Sequence, residues 1–335
     1  MTLNVASQLS SLRLPAGRVP PRITVLGLGD QGNRIVEQAV ERGPSNTRCI
    51  SISEERLELG TILAHKALVG KTAARNPETP NWFDLGEEAT LLSLPELSPS
   101  LIDSDLVFIA SSLGREGQHQ TSSVLARAAR TAGSLVIGAV TAPFCGEISN
   151  LHLAVHTLNE MKNACDAVVV LDANRLEDLP LAHNEETVDA AASYLLGKLI
   201  GGMVETLSTP SLISINFAEF ASIIRGSGFA VLGIGEANSR NQVEEAVKNA
   251  FNCPLLRIAH SGFTGAYLHI RGDADLSRAQ ATRAAEFVTE ELDPSPGFIL
   301  GATVDHSFAD RICATLMLTG VRSPQLIRPY RETSI

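Results

Sequence analysis

A two-domain α/β architecture is what this sequence predicts, and three observations predict it. Apolar, strand-like runs alternate with helical segments from Ile23 to about Val170. The stretch 187–207, TVDAAASYLLGKLIGGMVETL, is apolar on most sides. Beyond it the strands lengthen and the crossovers become fewer. Alternating strand and helix imply a parallel sheet covered on both faces. A helix apolar nearly all round is buried, here between two domains. At 335 residues the chain is also long for a single core.

In chain order, a first strand is expected at 23–28 (ITVLGL), a helix over 33–42 and a second strand at 48–53 (RCISIS). Residues 71–100, with Pro77, Pro80, Pro95, Pro99 and the lone Trp82, read as a loop-rich excursion. The run 106–110 (LVFIA) is wholly apolar and reads as a buried strand. A polar loop, 113–121 (LGREGQHQT), follows it. A helix at 124–132, a strand at 135–140, a helix at 152–164 and a strand at 167–171 complete the first domain. Gly201-Gly202 inside the long helix mark close packing. The second domain is expected to be α+β, with strands at 231–234, 255–258, 266–270, 298–304 and 312–319 and helices at 241–251 and 276–291. The expected divisions are a lead-in at 1–21, a first domain at 22–186, the central helix at 187–207, a second domain at 208–321 and a short tail at 322–335.

Composition narrows the function. A net charge of -10 argues against a nucleic-acid partner, which needs a basic face. No stretch is long and apolar enough to span a bilayer, and the start lacks the apolar core of a signal peptide. Five cysteines, Cys49, Cys145, Cys165, Cys253 and Cys313, are scattered without a C-x-x-C pair. They read as reduced core thiols of a cytoplasmic protein.

Gly27-Leu28-Gly29-Asp30-Gln31-Gly32 matches G-x-G-x-x-G at a strand-to-helix turn, where a helix N-terminus can receive an anion. Glu54 or Glu55 follows the second strand, where a ribose-binding acid would sit. The loop 113–121 lies at the carboxyl end of a parallel strand, the usual place for a ligand in an open α/β sheet. A phosphate cradle wants glycines and backbone N–H groups. This loop carries an Arg, a Glu, a His and two Gln, so it has the position of a phosphate site without its chemistry. His152 and His156 share a helix face but have no third ligand nearby, so no metal site is assigned. Ser111, Ser112 and His119 lack a G-x-S-x-G elbow and read as loop polarity, and Glu244-Glu245 and Glu290-Glu291 as solvated helix faces.

Read in order, VLGLGDQGN at 25–33, NPE at 76–78, SDLVFIA at 104–110, VTAPF at 140–144, ANRLEDL at 173–179, TPSLISINFAEF at 209–220, LGIGEA at 232–237, NCPLL at 252–256 and GATVDHSFADRICATLMLTG at 301–320 resemble FtsZ, the bacterial and archaeal relative of tubulin. The resemblance runs from about Arg22 to Gly320. It implies a tubulin/FtsZ-like fold with a nucleotide-binding domain, a long central helix and an activation domain. It implies GTP or GDP as the cofactor. It also implies head-to-tail homopolymers in cell division or shape, with an active FtsZ as a further partner.

The same resemblance assigns site residues and exposes departures. Gly27, Gly29, Asp30, Gln31, Gly32 and Asn33 fall on the first phosphate loop. The glycine-rich loop G-G-G-T-G-T-G of the family is matched here by Gly114, Arg115, Glu116, Gly117, Gln118, His119 and Gln120. A Cβ-bearing residue where φ was positive costs about 1–2 kcal/mol. Glu116 at about 6 Å from a phosphate adds roughly 3 kcal/mol of repulsion per charge at an effective dielectric of about 20. In the base pocket the guanine-reading Asn, the central-helix carboxylate and the stacking aromatic are matched by Ala173, Ser193 and Asp189. Asn33 and Glu147 remain as base and ribose contacts, and the ribose-side Arg is Leu151. The catalytic loop N-x-D-x-x-D, which reaches the next subunit's nucleotide, reads Ser214-Ile215-Asn216-Phe217-Ala218-Glu219, leaving Asn216 and Glu219 as catalytic candidates. The expectation is a degenerate GTPase with weak or no GTP binding and hydrolysis. Three alternatives stay open: a divergent working GTPase with Arg115 and Glu219 compensating, a nicotinamide- or flavin-dependent enzyme, and a non-polymerising regulator of FtsZ filaments. The usual FtsZ tether is expected to be absent or shortened, because only 14 or so residues follow the second domain.

Overall fold

The computed structural model describes residues 20–40, 47–53, 65–68, 99–113, 118–143, 148–176, 185–238, 242–256, 262–292, 297–308 and 311–321. Its first half alternates β1 (Ile23–Leu28), α1 (Gly29–Val40), β2 (Arg48–Ser53), β3 (His65–Leu68), β4 (Leu106–Ser112), α2 (Gln118–Thr131), β5 (Leu135–Ala142), α3 (Ile148–Ala164) and β6 (Ala167–Asp172). The long helix α4 (Glu185–Ser208) and the short α5 (Phe217–Ile224) follow. The second half contains β7 (Gly228–Ala237), α6 (Gln242–Phe251), β8 (Gly265–Gly272), α7 (Arg278–Glu291), β9 (Gly297–Val304) and β10 (Ile312–Val321).

Among the described residues all ten strands belong to one sheet, in the order β3-β2-β1-β4-β5-β6-β7-β10-β8-β9. The pairs from β3 through β7 are parallel, and β10 runs antiparallel to both β7 and β8. The two halves join where β6 meets β7, through Ala167, Val168 and Val169 against Gly228, Phe229 and Ala230. Strands β1, β4, β5 and β6 are buried along their whole length, as parallel strands covered on both faces must be.

Side-chain alternation sorts the core by sheet face rather than by half. Ile23, Val25, Leu106 and Phe108 pack with Ile35 and Val36 of α1, with the apolar stripe of α4 and with Phe220 and Ile224 of α5. Leu26, Leu28, Val107 and Ile109 share the opposite layer with α2, α3, α6 and α7. Helix α4 is 24 residues long, about 36 Å at 1.5 Å per residue. Along it, Gly197 packs against Gln38 of α1 and Thr206 packs against Gly301 of β9. At Gly202 the helix comes close to the second half: a Cβ there would sit 2.5 Å from Nδ1 of His269.

Three details depart from the sequence reading. Helix α2 begins at Gln118, so the end of the polar loop is already helical. Of the strand expected at 255–258, Leu255 and Leu256 belong instead to a 3-10 turn at Pro254–Leu256, closed by Leu256 N–H donating to Cys253 O at 2.9 Å, and 257–258 lie outside the described residues. Proline supplies the fixed φ that starts such a turn, and both leucines bury themselves from it. Strand β3 was not expected; four residues are too few to show a period, and pairing with β2 is what defines it. Of residues 71–100, where the loop-rich excursion was placed, 71–98 lie outside the described residues and Pro99 and Ser100 begin a short helical turn.

Candidate functional site

Strand order places β1 between β2 and β4, so the chain leaves in opposite directions on either side of it. The crevice outside the carboxyl ends of β1 and β4 is the switch point where open α/β sheets take ligands. Strand β1 enters α1 through Gly29, whose φ of 66° is a left-handed conformation. The two flanking glycines answer to packing. A Cβ on Gly27 would lie 2.6 Å from Gly32 O, and one on Gly32 would lie 2.3 Å from Ala110 O. The glycine pattern thus lets the helix seat on β1 and β4, whatever the crevice holds.

The side chains of that first turn are already engaged. Asp30 pairs with Arg34 at 2.9 Å, both about half exposed. Its carboxylate sits at the positive end of the helix dipole, where a bound anion would otherwise be favoured. Gln31 is buried and spans the crevice. Its Oε1 accepts from Thr141 Oγ1 at 2.7 Å, and its Nε2 donates to Asp189 Oδ1 at 3.2 Å. One carboxamide therefore links the end of β5 to the beginning of α4. Asn33, next along, is buried with neither Nδ2 nor Oδ1 hydrogen bonded. Ser193, one turn beyond Asp189 on α4, is likewise buried with an unbonded hydroxyl.

At the end of β6, Ala173 opens a 3-10 turn. Its neighbour Asn174 donates through Nδ2 to Asp172 Oδ1 at 2.9 Å and to Pro143 O at 3.3 Å. The sequence reading passed over Asn174. Gly114, Arg115, Glu116, Gly117 and Glu147 lie outside the described residues, as do Glu54 and Glu55, and Gln118 is placed as the first residue of α2. His152 and His156 both fall on α3. Among the described residues no group of three or more His, Cys, Asp or Glu side chains is gathered as a metal site.

Asn216 and Glu219 lie at the other end of the molecule. The chain leaving α4 is held by Ile213, which exchanges backbone hydrogen bonds of 3.0 Å with Ala302, and by Ile215 N–H donating to Thr206 O at 3.2 Å. Asn216 then caps α5: its Oδ1 accepts from Ala218 N–H at 2.9 Å. Glu219 stands exposed in the first turn of that helix. Beside them opens a cleft of about 380 Å³, lined by Pro20, Asp105, Thr206, Pro210, Ser214 and Phe217 among others. Asp105 immediately precedes β4, so this cleft is at the amino ends of the parallel strands. Asp189 and Thr206 are about 26 Å apart along α4. The two sets of predicted site residues therefore occupy opposite ends of one chain.

Between those ends, buried charges tie α4 to the second half of the sheet. Arg271 on β8 pairs with Glu205 and lies 3.7 Å from Asp305. Lys198 pairs with Glu236 of β7 at 2.9 Å. His269 is 2.6 Å from Thr303 Oγ1 through Nε2. Burial, reinforced by the Arg271 guanidinium, pushes the His269 imidazole down to about 3, so it is neutral. Cys49, Cys165, Cys253 and Cys313 are buried free thiols, and burial lifts Cys49 and Cys165 to about 12.

Comparison with known proteins extends the geometry. Residues 22–180 match the family model for the Tubulin/FtsZ family GTPase domain, and residues 228–322 match that for the FtsZ family C-terminal domain. The chain is 32% identical over 312 residues to the cell division protein FtsZ 2 of Methanocaldococcus jannaschii, covering 91% of this chain and 82% of that protein. It is 31% identical over 320 residues to FtsZ 1 of Pyrococcus furiosus, covering 95% and 86%. Among solved structures, an empty FtsZ dimer of M. jannaschii superposes with a TM-score of 0.84 at 28% identity, covering 96% of this chain and 93% of that one. CetZ2 of Haloferax volcanii, solved as a GTPγS-bound protofilament, shares the fold with a TM-score of 0.70 at 18% identity, covering 90% and 94%.

Proposed function

The chain belongs to the FtsZ family of the tubulin superfamily, a family of cell-division and cytoskeletal proteins, and from that premise we propose that it forms or joins head-to-tail filaments while binding GTP weakly and hydrolysing little or none. The observation that carries this reading is the placement of the two candidate sets at opposite ends of α4. One chain cannot bring Gln31 and Glu219 together over about 26 Å of helix, whereas a second copy stacked along the helix axis can. The cleft beside Asn216 and Ser214 then faces the partner's α1 turn.

The residues present do not suit a guanine nucleotide. Asp30 places a carboxylate at the helix N-terminus that would face the phosphates. Asp189 is already bonded to Gln31, and the single hydroxyl of Ser193 cannot accept from two guanine N–H groups. The carboxamide of Asn216 is too weakly basic to be a general base, and its oxygen already accepts from Ala218 N–H in the α5 cap. Assembly can persist without nucleotide, because head-to-tail contact rests on interface burial as well as on phosphate.

Purified protein, examined by electron microscopy and pelleting with and without GTP, tests this directly. Filaments, or incorporation into filaments of an active FtsZ, are expected in both conditions, with no magnesium-dependent phosphate release. Micromolar GTP binding with steady turnover would overturn the reading in favour of a divergent GTPase. The unbonded carboxamide of Asn33 supports a second reading, in which some polar ligand still reaches the α1 turn. A thermal-shift screen against GTP, ATP, NAD and FAD separates the two.

A further inference from the structure

We propose that Gln31 is a latch that closes the crevice between α1 and α4 from within, taking the place of a nucleotide base and setting how weakly nucleotides bind. The proposal rests on reading this crevice as the family's nucleotide site, and it names the residue that governs it.

The two helices run alongside each other, and their contacts can be followed in register. At the lower end of the seam Gly197 abuts α1 so closely that a Cβ there would lie 2.4 Å from Gln38 Cβ. At the upper end Gln31 reaches Asp189. Ser193 sits midway between Asp189 and Gly197, one turn from each, on the same face of α4. Its hydroxyl is sealed into that seam with no partner. A buried hydroxyl normally has one, so the seam holds a polar atom that a ligand would satisfy and that the closed latch leaves unsatisfied.

The latch is fixed at three points. Gly32 against Ala110 O sets the height of the first turn of α1. Thr141 Oγ1 donates to the carboxamide oxygen, which turns the amide nitrogen towards α4. Asp189 then accepts from that nitrogen. Both Gln31 and Thr141 are buried, so the bridge closes the crevice instead of lying across its mouth. A flat, hydrogen-bonding ring entering between α1 and α4 must break both bonds. Once they are broken, Asp189 and Ser193 become an acceptor and a donor for that ring. The ligand class that fits is a purine nucleotide, with affinity suppressed by the latch.

Gln31→Ala removes the latch without disturbing helix propensity. Fluorescent mant-GTP, mant-GDP and mant-ATP, titrated into wild type and variant, should bind the variant about tenfold tighter or better, the equivalent of losing one or two competing hydrogen bonds. Thr141→Val breaks the bond that orients the carboxamide, leaves Asp189 in place, and should shift affinity in the same direction. Circular dichroism melts establish that each variant is folded; if one is not, the other carries the test. Folded variants that bind all three nucleotides no better than wild type overturn the proposal, as does a wild type that already binds at the affinity of Gln31→Ala. Pelleting in the absence of nucleotide keeps the two readings apart. Wild type that fails to assemble sinks the filament reading but leaves the affinity ratio meaningful, and an unchanged ratio sinks the latch while filaments stand.

Discussion

At the scale of single residues, the first turn of α1 shows how one glycine-rich pattern serves two purposes. Gly27 and Gly32 are legible in the sequence as a phosphate-type turn, yet in the structure each is required by the packing of helix on strand. Gly32→Ala should therefore destabilise the protein by about 3 kcal/mol, at the upper end of the cost of overpacking, because its Cβ would meet a backbone oxygen that cannot move aside. Urea denaturation midpoints measure this, and a cost below about 1 kcal/mol would show that the turn relaxes. Gln31 was legible only as a member of the same motif. The available signal was its size, since a long amide is out of place where a phosphate must approach the backbone. What it bonds to could not be read, because Thr141 and Asp189 lie 110 and 158 positions away.

At the scale of elements, α5 shows that a predicted catalytic residue can be a structural one. Asn216 occupies the N-cap, a role open to Asn and Asp alike. Asn216→Ala should cost about 1 kcal/mol through loss of that cap. Asn216→Asp should keep the melting temperature and still give no GTP turnover, because the crevice at the other end stays closed. Turnover appearing in the Asp variant alone would locate the defect in this loop instead. The long helix and the strands of the first half were legible because their periods are strong and their runs long. The 3-10 turn at Pro254–Leu256 was misread as a strand because a short apolar run carries no period. Strand β3 escaped notice for the same reason.

At the scale of the whole molecule, α4 couples two halves of one continuous sheet, and the buried cations Lys198 and Arg271 lie in its seam with the second half. His269 lies in that seam, between Gly202 of α4 and Thr303 of β9. It stays neutral when folded, with its proton affinity depressed to about 3 from an ordinary 6.5. Between those values the unfolded chain takes up a proton that the folded chain refuses. Its stability contribution is therefore whole above about pH 6.5 and is lost as pH falls towards 3. The slope approaches about 1.4 kcal/mol per pH unit. His269→Asn should flatten the pH dependence of unfolding free energy between about pH 6.5 and 4.5. A variant with the wild-type slope would assign the acid sensitivity to carboxylates alone.

By itself the sequence determined the order and type of most elements and the family resemblance. These are properties of local period and of residue identity, and both survive in a linear string. Only the tertiary structure decided that the ten described strands form a single sheet, that Asn216 is a cap, that Gln31 bridges β5 to α4, that Arg271 and His269 are buried beside the central helix and that Lys198 of that helix is buried beside β7. Each of those depends on which distant atoms come within about 3 Å, and that is set by the packing of whole helices on the sheet.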